Sequence, residues 1–352
     1  MTRHNLEPAT RSGGHREPIA RRSDPGSTTR GRKYVGFITC AALVIGAVVG
    51  VAVYKKLAHP SSIHPTQVVR YLGVYEPDTP SSYSGVNQFA QRIGRQPNLV
   101  SYYSPWLEPF QASFVTAAAK HGAITLVQID PKNISLASIA SGRYDVYLRS
   151  YAAAVKRFGS KVALSFGHEM NGDWYSWGNR HTSASVFVAA WRHIVSVFRA
   201  VGAKNVIWLW TINVIDNHIP NPAPWWPGAS YVTWVGIDGY YFLPSLSFAQ
   251  VFGPTIVAVR ALTDDPILIT ETGAEPAGAQ PAKIDDLFAG SRAYGLFGFV
   301  WFDKYDKSKG LDWRINNPKS FAAFRRGVKA FMKPPATSAP TSARRSSGSS
   351  SS

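Results

Sequence analysis

The chain of 352 residues contains a single cysteine, Cys40. No disulfide can form within the chain, so it does not resemble the small exported domains that depend on several disulfides. Cys40 lies inside an apolar run, where a thiol behaves as a small hydrophobic side chain. A folded domain in this chain must therefore be stabilised by its hydrophobic core, which a domain of this size can supply.

Acidic residues are also scarce. There are 21 Asp and Glu against 38 Lys and Arg, a formal net charge of +17. The first 33 residues account for +5, Lys55 and Lys56 for +2 and the tail from Lys333 for +3, which leaves about +7 for the middle of the chain. That middle part has no concentrated basic stripe, so we expect no nucleic-acid partner.

Three catalytic motifs are missing. The segment from Gly73 at the end of the first predicted strand, GVYEPDTPSS, contains no glycine-rich phosphate loop. The residue four positions after His168 is Gly172, so the second ligand of an HExxH zinc helix is absent and no metal site is expected. No GxSxG turn precedes a predicted helix, which argues against a serine hydrolase.

A long uncharged run is present near the N-terminus. Tyr34 to Tyr54 comprise 21 residues without a charged side chain, the length that crosses a bilayer as one helix. We predict a single transmembrane helix over 34–54 rather than a cleaved signal peptide, because the basic leader of 33 residues is too long for one. The Arg-rich leader places the N-terminus in the cytoplasm and the rest of the chain outside the cell.

The composition divides the remaining chain into segments. Residues 1–33 are rich in Arg, Ser, Gly and Pro and predict a disordered cytoplasmic tail. Residues 55–67 predict a short linker, and residues 333–352 a disordered low-complexity tail. The folded domain is expected over 68–332. It is expected to be a monomer attached to the cell membrane by its single helix.

Short apolar runs recur at regular intervals through this domain and are nearly continuous, as in parallel strands buried on both faces. Eight strands are predicted: Val69–Tyr75, Asn98–Tyr103, Ala123–Ile129, Lys161–Phe166, Asn205–Trp210, Tyr231–Gly239, Pro266–Thr270 and Gly295–Trp301. Helical patterns lie between many of them: Phe114–His121, Tyr144–Phe158, Ala184–Val201, Phe248–Leu262 and Ile284–Tyr294. This α/β alternation predicts a (β/α)₈ TIM barrel, with a doubly wound open sheet as the alternative.

Polar and aromatic residues follow the predicted strands, at the barrel end where active sites lie. Glu169 comes directly after strand four and Glu271 directly after strand seven, each beside aromatic side chains. A glutamate at a strand end can also be a helix cap or an ion-pair partner. Two carboxyl groups that face each other across a barrel are, however, what glycoside hydrolysis requires. The 11 Trp and 16 Tyr would suit a cleft that stacks on sugar rings, or a tryptophan-rich core.

The segments HEMNGDWYSWG, from His168, and ITETG, from Ile269, resemble glycoside hydrolase family 26. In the large clan of retaining barrels to which that family belongs, most members place Asn before the acid/base glutamate, whereas family 26 places His there, as this chain does. The resemblance covers about Val68 to Met332. The family contains mainly endo-β-1,4-mannanases, with some β-1,3-1,4-glucanases and β-1,3-xylanases. The resemblance therefore implies an endo-β-1,4-mannanase first and one of the other two activities second.

The resemblance also implies roles for individual residues and a double-displacement mechanism without metal or organic cofactor. Glu169 matches the acid/base and Glu271 the nucleophile. Substrate-binding roles transfer to His168, Trp174, Tyr240 and Trp301. They also transfer, on strand-end position more than on motif, to Trp177, Asn213, Asp238 and Tyr241. The expected substrate is a β-linked polysaccharide, with β-1,4-mannan as the first candidate. The alternatives are mixed-linkage glucan, an exopolysaccharide made by the cell itself, or a catalytically silent sugar-binding barrel.

Overall fold

The computed structural model describes residues 69–275, 279–307 and 309–333. The predicted cytoplasmic tail, transmembrane helix and linker, and the C-terminal tail beyond Lys333, lie outside the described residues. The predictions for those segments therefore stay predictions.

Eight parallel strands form a closed barrel, in which each strand pairs with the next and the eighth pairs with the first. The strands are β1 (Tyr71–Tyr75), β2 (Leu99–Pro105), β3 (Ile124–Asp130), β4 (Val162–Phe166), β5 (Val206–Asn213), β6 (Trp234–Asp238), β7 (Ile267–Thr272) and β8 (Gly298–Phe302). Each overlaps one predicted strand. The (β/α)₈ barrel is confirmed, and the open sheet is excluded because β8 and β1 pair along their length.

The five predicted helices are present with slightly different ends, and three further helices were not predicted. The helices are α1 (Ser84–Ile93), α2 (Ala112–Lys120), α3 (Leu136–Ala140), α4 (Asp145–Phe158), α5 (Ala184–Val201), α6 (Phe248–Arg260), α7 (Gln280–Ala293) and α8 (Pro318–Phe331). The unpredicted ones are α1, α3 and α8. A short antiparallel hairpin, β9 (Tyr305–Asp306) and β10 (Leu311–Asp312), lies between β8 and α8.

Helix α5 shows how local sequence sets the ends of an element. The Ser183 side chain accepts a hydrogen bond from the N–H of Val186 at its start, and Gly202 ends it in the left-handed conformation. By length and composition α5 is the one helix among the described residues that could cross a membrane. Its apolar face instead buries Phe187, Trp191 and neighbouring residues in the core around the barrel.

Two hydrophobic cores follow from the two faces of the strands. One lies between the barrel and the helices and contains most of the large side chains. The other fills the barrel itself and is built from alternate strand residues such as Leu99, Leu126, Leu209, Leu268 and Val300. Continuing that alternation toward the carboxyl ends of the strands points the last inward residues at the mouth of the barrel.

The pairing of β7 with both neighbours is irregular near its carboxyl end. The register shifts between Ile237 and Asp238 on β6, and between Ile269 and Thr272 on β7. Leu268 packs inside the barrel and Ile269 outside it, so strict alternation would turn Glu271 outward. The irregularity turns Glu271 inward, where it meets the residues of the barrel mouth.

Candidate active site

Glu271 accepts a hydrogen bond on each oxygen of its carboxyl group. The Tyr103 hydroxyl donates to Oε1, and the Tyr240 hydroxyl donates to Oε2 at 2.8 Å. Tyr103 is on β2 and Tyr240 follows β6, so donors from two sides of the barrel hold the group. Only 8% of Glu271 is exposed. A carboxylate with a donor on each oxygen is fixed in orientation before any substrate binds.

The surroundings of Glu271 pull its pKa in opposite directions. Burial and the nearby Glu169 raise it, while His168 and the two phenols lower it, and the net result is a pKa of about 7. Below that pH the group is increasingly protonated and cannot act as a nucleophile. Without the histidine and the phenols, the pKa would be higher still.

Glu169 lies across the same cavity with a different set of partners. The Asn213 side-chain amide donates to Oε1 at 2.6 Å, and the Trp174 indole N–H donates to Oε2 at 2.7 Å. The backbone of Glu169 has a φ of +55°, which is rare for a residue with a side chain. Its N–H donates to the carbonyl of Thr211 at 3.0 Å, which ties this conformation to β5.

The loop after β4 supports both donors to Glu169. The Asn171 amide accepts from the backbone N–H of Asn213 at 2.9 Å and donates to the Asn213 carbonyl at 2.9 Å, so it holds that residue by two bonds. Trp174 packs against Gly172, where an added Cβ would lie 2.4 Å from the ring. The glycine therefore permits the position from which the indole reaches Glu169.

His168 is buried directly behind the carboxyl groups. Its Nδ1 lies 3.0 Å from a carboxylate oxygen of Asp130, and its Nε2 lies 3.2 Å from the Tyr175 hydroxyl. Burial lowers the pKa of His168, but Asp130, together with Glu169 and Glu271, outweighs burial and raises the pKa to about 9. The imidazole therefore carries a positive charge among three carboxyl groups.

Asp238 lies below Glu271 and is fully buried. Its Oδ1 accepts a hydrogen bond from the Thr270 hydroxyl, and its pKa is raised by burial and by Glu271 and Glu169. The ligand atoms of His168, Asp238 and Glu271 lie within 4.8 Å of one another, as a metal site would require.

A cavity of about 530 Å³ opens above the two glutamates. Its walls come from the loops after β4, β5, β6 and β8, and one exposed tryptophan, Trp174, stands at its edge with 47% of its surface accessible. Among the predicted site residues, those that line it are Glu169, Glu271, Trp174, Asn213 and Tyr240. Glu169 and Glu271 therefore share one water-accessible space of the size of a sugar-binding cleft.

Five predicted binding residues lie behind the cavity rather than in its wall. His168 and Asp238 are buried beneath the glutamates, and Trp177 donates its indole N–H to the His168 carbonyl at 2.7 Å. Tyr241 and Trp301 are completely buried outside the barrel strands. The structure thus corrects their expected position, since none of these five side chains faces the space a substrate would enter.

Alternation explains why Trp301 is displaced from the site. Val300 packs inside the barrel, so Phe302 also points inward and lines the cavity, while Trp301 points outward against Phe324. The indole N–H of Trp301 donates to the carbonyl of Trp313 at 3.0 Å, and it is Trp313 that forms the aromatic wall. Side chains alternate along a strand, so the residue two positions after the inward-facing Val300 also faces inward, and this rule would have selected Phe302 from the sequence.

Other functional residues missed in the sequence have weaker signals. Tyr103 stood among the strand-end residues but had no predicted role, and nothing in its local sequence identifies it as a donor to a residue 168 positions away. Trp313 directly follows β10, in the segment before α8, where no periodic pattern exists. Asn171 is within the HEMNG segment, but its contact with Asn213 depends on the packing of two loops.

The sequence matches proteins of known family. The model of glycosyl hydrolase family 26 matches residues 138–287. Endoglucanase H of Acetivibrio thermocellus is 30% identical over 308 residues, which cover 82% of this chain and 33% of that protein. Mannan endo-1,4-beta-mannosidase A and B of Caldalkalibacillus mannanilyticus is 33% identical over 81 residues, 21% of this chain and 15% of that protein. The chain therefore spans a third or less of these relatives.

Solved structures share the fold at lower identity. A family 26 β-mannanase of Bacteroides ovatus aligns with a TM-score of 0.57 and 16% identity, covering 80% of this chain and 93% of that one. An endo-β-1,4-mannanase catalytic domain of Bacillus sp. JAMB-750 aligns with a TM-score of 0.60 and 14% identity, covering 74% and 86%. At these identities the likeness concerns the barrel alone.

Proposed function

The chain belongs to glycosyl hydrolase family 26, and from that premise we propose that it hydrolyses a β-linked polysaccharide with retention of configuration. The observation that carries the proposal is the pair of glutamates in one cavity with different partners. Glu271 receives two phenolic donors, which favour its ionised form, while Glu169 faces it beside an exposed tryptophan. This division suits one group for attack and the other for proton transfer.

The reaction proceeds in two displacements. In the first, a carboxylate oxygen of Glu271 forms a bond to the anomeric carbon, the glycosidic C–O bond breaks, and the Glu169 carboxyl proton passes to the leaving oxygen. In the second, a water oxygen bonds to the anomeric carbon and gives its proton to Glu169. The ester bond to Glu271 then breaks and restores the carboxylate. Two inversions give net retention.

Mannan with β-1,4 linkages is the proposed substrate class. The support is the mannan endo-1,4-beta-mannosidase among the relatives. The relative named endoglucanase H supports mixed-linkage glucan as the second candidate substrate. We would incubate the full-length chain, purified in a nonionic detergent, with β-mannan, mixed-linkage glucan and xylan, and chromatograph the products. Release of manno-oligosaccharides with retained anomeric configuration by NMR is the expected result. Inverted products, or binding without release of products from any polymer, would contradict the proposal.

The proposed location is the outer face of the cell membrane. The support is the uncharged run over 34–54 and its Arg-rich leader. Protease added to intact cells is expected to digest the barrel and leave a fragment that contains the leader. A barrel protected until the cells are lysed would contradict this topology.

A further inference from the structure

One wall of the active-site cavity carries two lysines and one aspartate, Asp306. Lys304 and Lys309 line the same space as Glu169 and Glu271. Lys304 follows β8 by two residues, where its N–H donates to the carbonyl of Phe302 at 3.0 Å and its carbonyl accepts from the N–H of Trp313 at 3.0 Å. These two bonds fix the backbone of the half-buried Lys304 at the base of the β9–β10 hairpin.

The acidic residues of this hairpin region have other basic partners. Asp303 lies 3.2 Å from Arg92, and Asp312 lies 2.8 Å from Arg314. Asp306 is 4.0 Å from Lys309, at the limit of an ion pair. No carboxylate in the described part of the chain comes within 4.0 Å of the Lys304 ammonium group, which lies 5.9 Å from the centroid of the Phe302 ring instead.

The lysines are not what keeps the nucleophile ionised. The groups that lower the pKa of Glu271 are His168, Tyr103 and Tyr240. The two lysines are therefore available to interact with a ligand that enters the cavity. The sign of their charge matches that of the whole domain, since residues 68–332 carry a formal charge of about +7. A positive field around a cleft raises the local concentration of an anionic ligand.

We propose that Lys304, assisted by Lys309, binds a carboxylate substituent on the polysaccharide, carried by a sugar close to the one that is cleaved. The inference deepens the proposed function and rests on it. An ammonium group supplies three donors to a carboxylate. Phe302 and Trp313 in the same wall present apolar faces to the sugar ring that bears it. The preferred substrate is thus a β-linked polysaccharide of the proposed class that also carries acidic substituents.

The test compares two derivatives of one β-1,4-mannan, carboxymethylated and hydroxyethylated to the same degree, with the full-length chain in nonionic detergent. Lys304→Gln is expected to lower the ratio of kcat/KM on the carboxymethyl polymer to kcat/KM on the hydroxyethyl polymer about five-fold, and Lys309→Gln to lower it less, as for a partly solvated charge contact. Lys307→Gln is the matched control. It removes the same charge from the same hairpin, but Lys307 does not line the cavity.

Binding is measured in parallel, so that loss of catalysis cannot hide the result. Glu271→Ala protein is run in native gels that contain either polymer, with and without Lys304→Gln. Stronger retardation by the carboxymethyl polymer, reduced by Lys304→Gln but not by Lys307→Gln, supports the subsite even if no polymer is hydrolysed. Equal retardation by both polymers, or equal effects of the two substitutions, would overturn the inference. Hydrolysis of the neutral polymer alone would overturn it and leave the proposed function intact.

Discussion

At the scale of single residues, the contacts of Glu271 show how a buried carboxylate is kept usable. Its pKa of about 7 already reflects the two phenolic donors, because both lower it against burial and Glu169. Each donor favours the ionised form of the carboxylate, and that form is the nucleophile. Removing a donor should therefore change the pH dependence of the reaction as well as its rate.

Tyr103→Phe is expected to raise the pKa of Glu271 by about one unit, so that kcat/KM at pH 6 falls about ten-fold and the loss shrinks toward pH 9. The acidic limb of the kcat/KM profile measures this shift. Tyr75→Phe is the control, since Tyr75 contacts the Tyr103 ring at 5.1 Å between centroids but makes no hydrogen bond to Glu271 among the described residues. A pH-independent loss for Tyr103→Phe would show that its bond does not set this pKa.

Substitutions of Trp301 and Phe302 test which of these two neighbouring side chains faces the substrate. Trp301→Phe removes a buried ring edge and the hydrogen bond to the Trp313 carbonyl, so the free energy of unfolding should fall by about 1–3 kcal/mol with KM nearly unchanged. Phe302→Leu should raise KM with a smaller effect on stability, because that side chain lines the cavity. Chemical denaturation and steady-state kinetics separate the two effects. A raised KM for Trp301→Phe alone would contradict this assignment.

At the scale of elements, the loop after β4 acts as a support for Glu169. Gly172→Ala should push the Trp174 ring out of place, since the new Cβ would lie 2.4 Å from it, and break the indole bond to Glu169. We expect kcat/KM to fall about ten-fold or more. Gly122→Ala is the comparison, because nothing lies within 4 Å of its added Cβ and its cost comes only from the φ of +76°. It should lower stability without changing kcat/KM.

The elements that could be predicted from sequence are those with a repeating pattern. All eight barrel strands are apolar runs buried on both faces, and α5 was predicted to the residue from apolar side chains at spacings of three and four. Helix α3 has only five residues, too few for a period to show. The two-residue strands of the hairpin after β8 carry no pattern at all.

The site residues divide in the same way, into those that a sequence pattern identifies and those that it does not. The segments HEMNG and ITETG place Glu169 and Glu271 at strand ends. Because the eight strands form a closed barrel, both glutamates line one cavity. Trp301 was assigned from the family pattern without counting the alternation of β8, which turns it outward. Tyr103 could not be found locally, because its role depends on the register irregularity that turns Glu271 inward.

At the scale of the whole molecule, the barrel buries several carboxyl groups whose pKa values are raised, because nearby cations and hydrogen-bond donors do not offset the effect of burial. Burial and Asp303 raise the pKa of Glu76 to about 9, and the pKa values of Glu271, Asp238 and Asp303 are also raised. The folded chain therefore binds more protons than the unfolded chain above about pH 4.5. The pKa of His168, about 9, is likewise above its ordinary value, so its contribution to stability has the same sign.

The consequence is a stability that falls as the pH rises from about 5 to 9. The contributions are fully present below the unfolded pKa values, and each is lost as the pH passes through the folded one. Thermal unfolding followed by tryptophan fluorescence at pH 5 and pH 9 measures the difference. Glu76→Gln removes one titrating group and should make the dependence shallower. A higher unfolding temperature at pH 9 than at pH 5 would contradict this charge balance.

The central claim is that Glu271 attacks the sugar and Glu169 moves the proton, and azide rescue tests it most directly. The full-length Glu169→Ala chain is given an aryl glycoside whose leaving group needs no protonation, with and without sodium azide. Azide attacks the glycosyl-enzyme without a general base, so we predict restored turnover, about 10²–10⁴-fold above the unrescued variant, and a glycosyl azide of retained configuration. Glu271→Ala should give no such product. A retained glycosyl azide from Glu271→Ala and none from Glu169→Ala would contradict the account, because it would exchange the roles of the two residues.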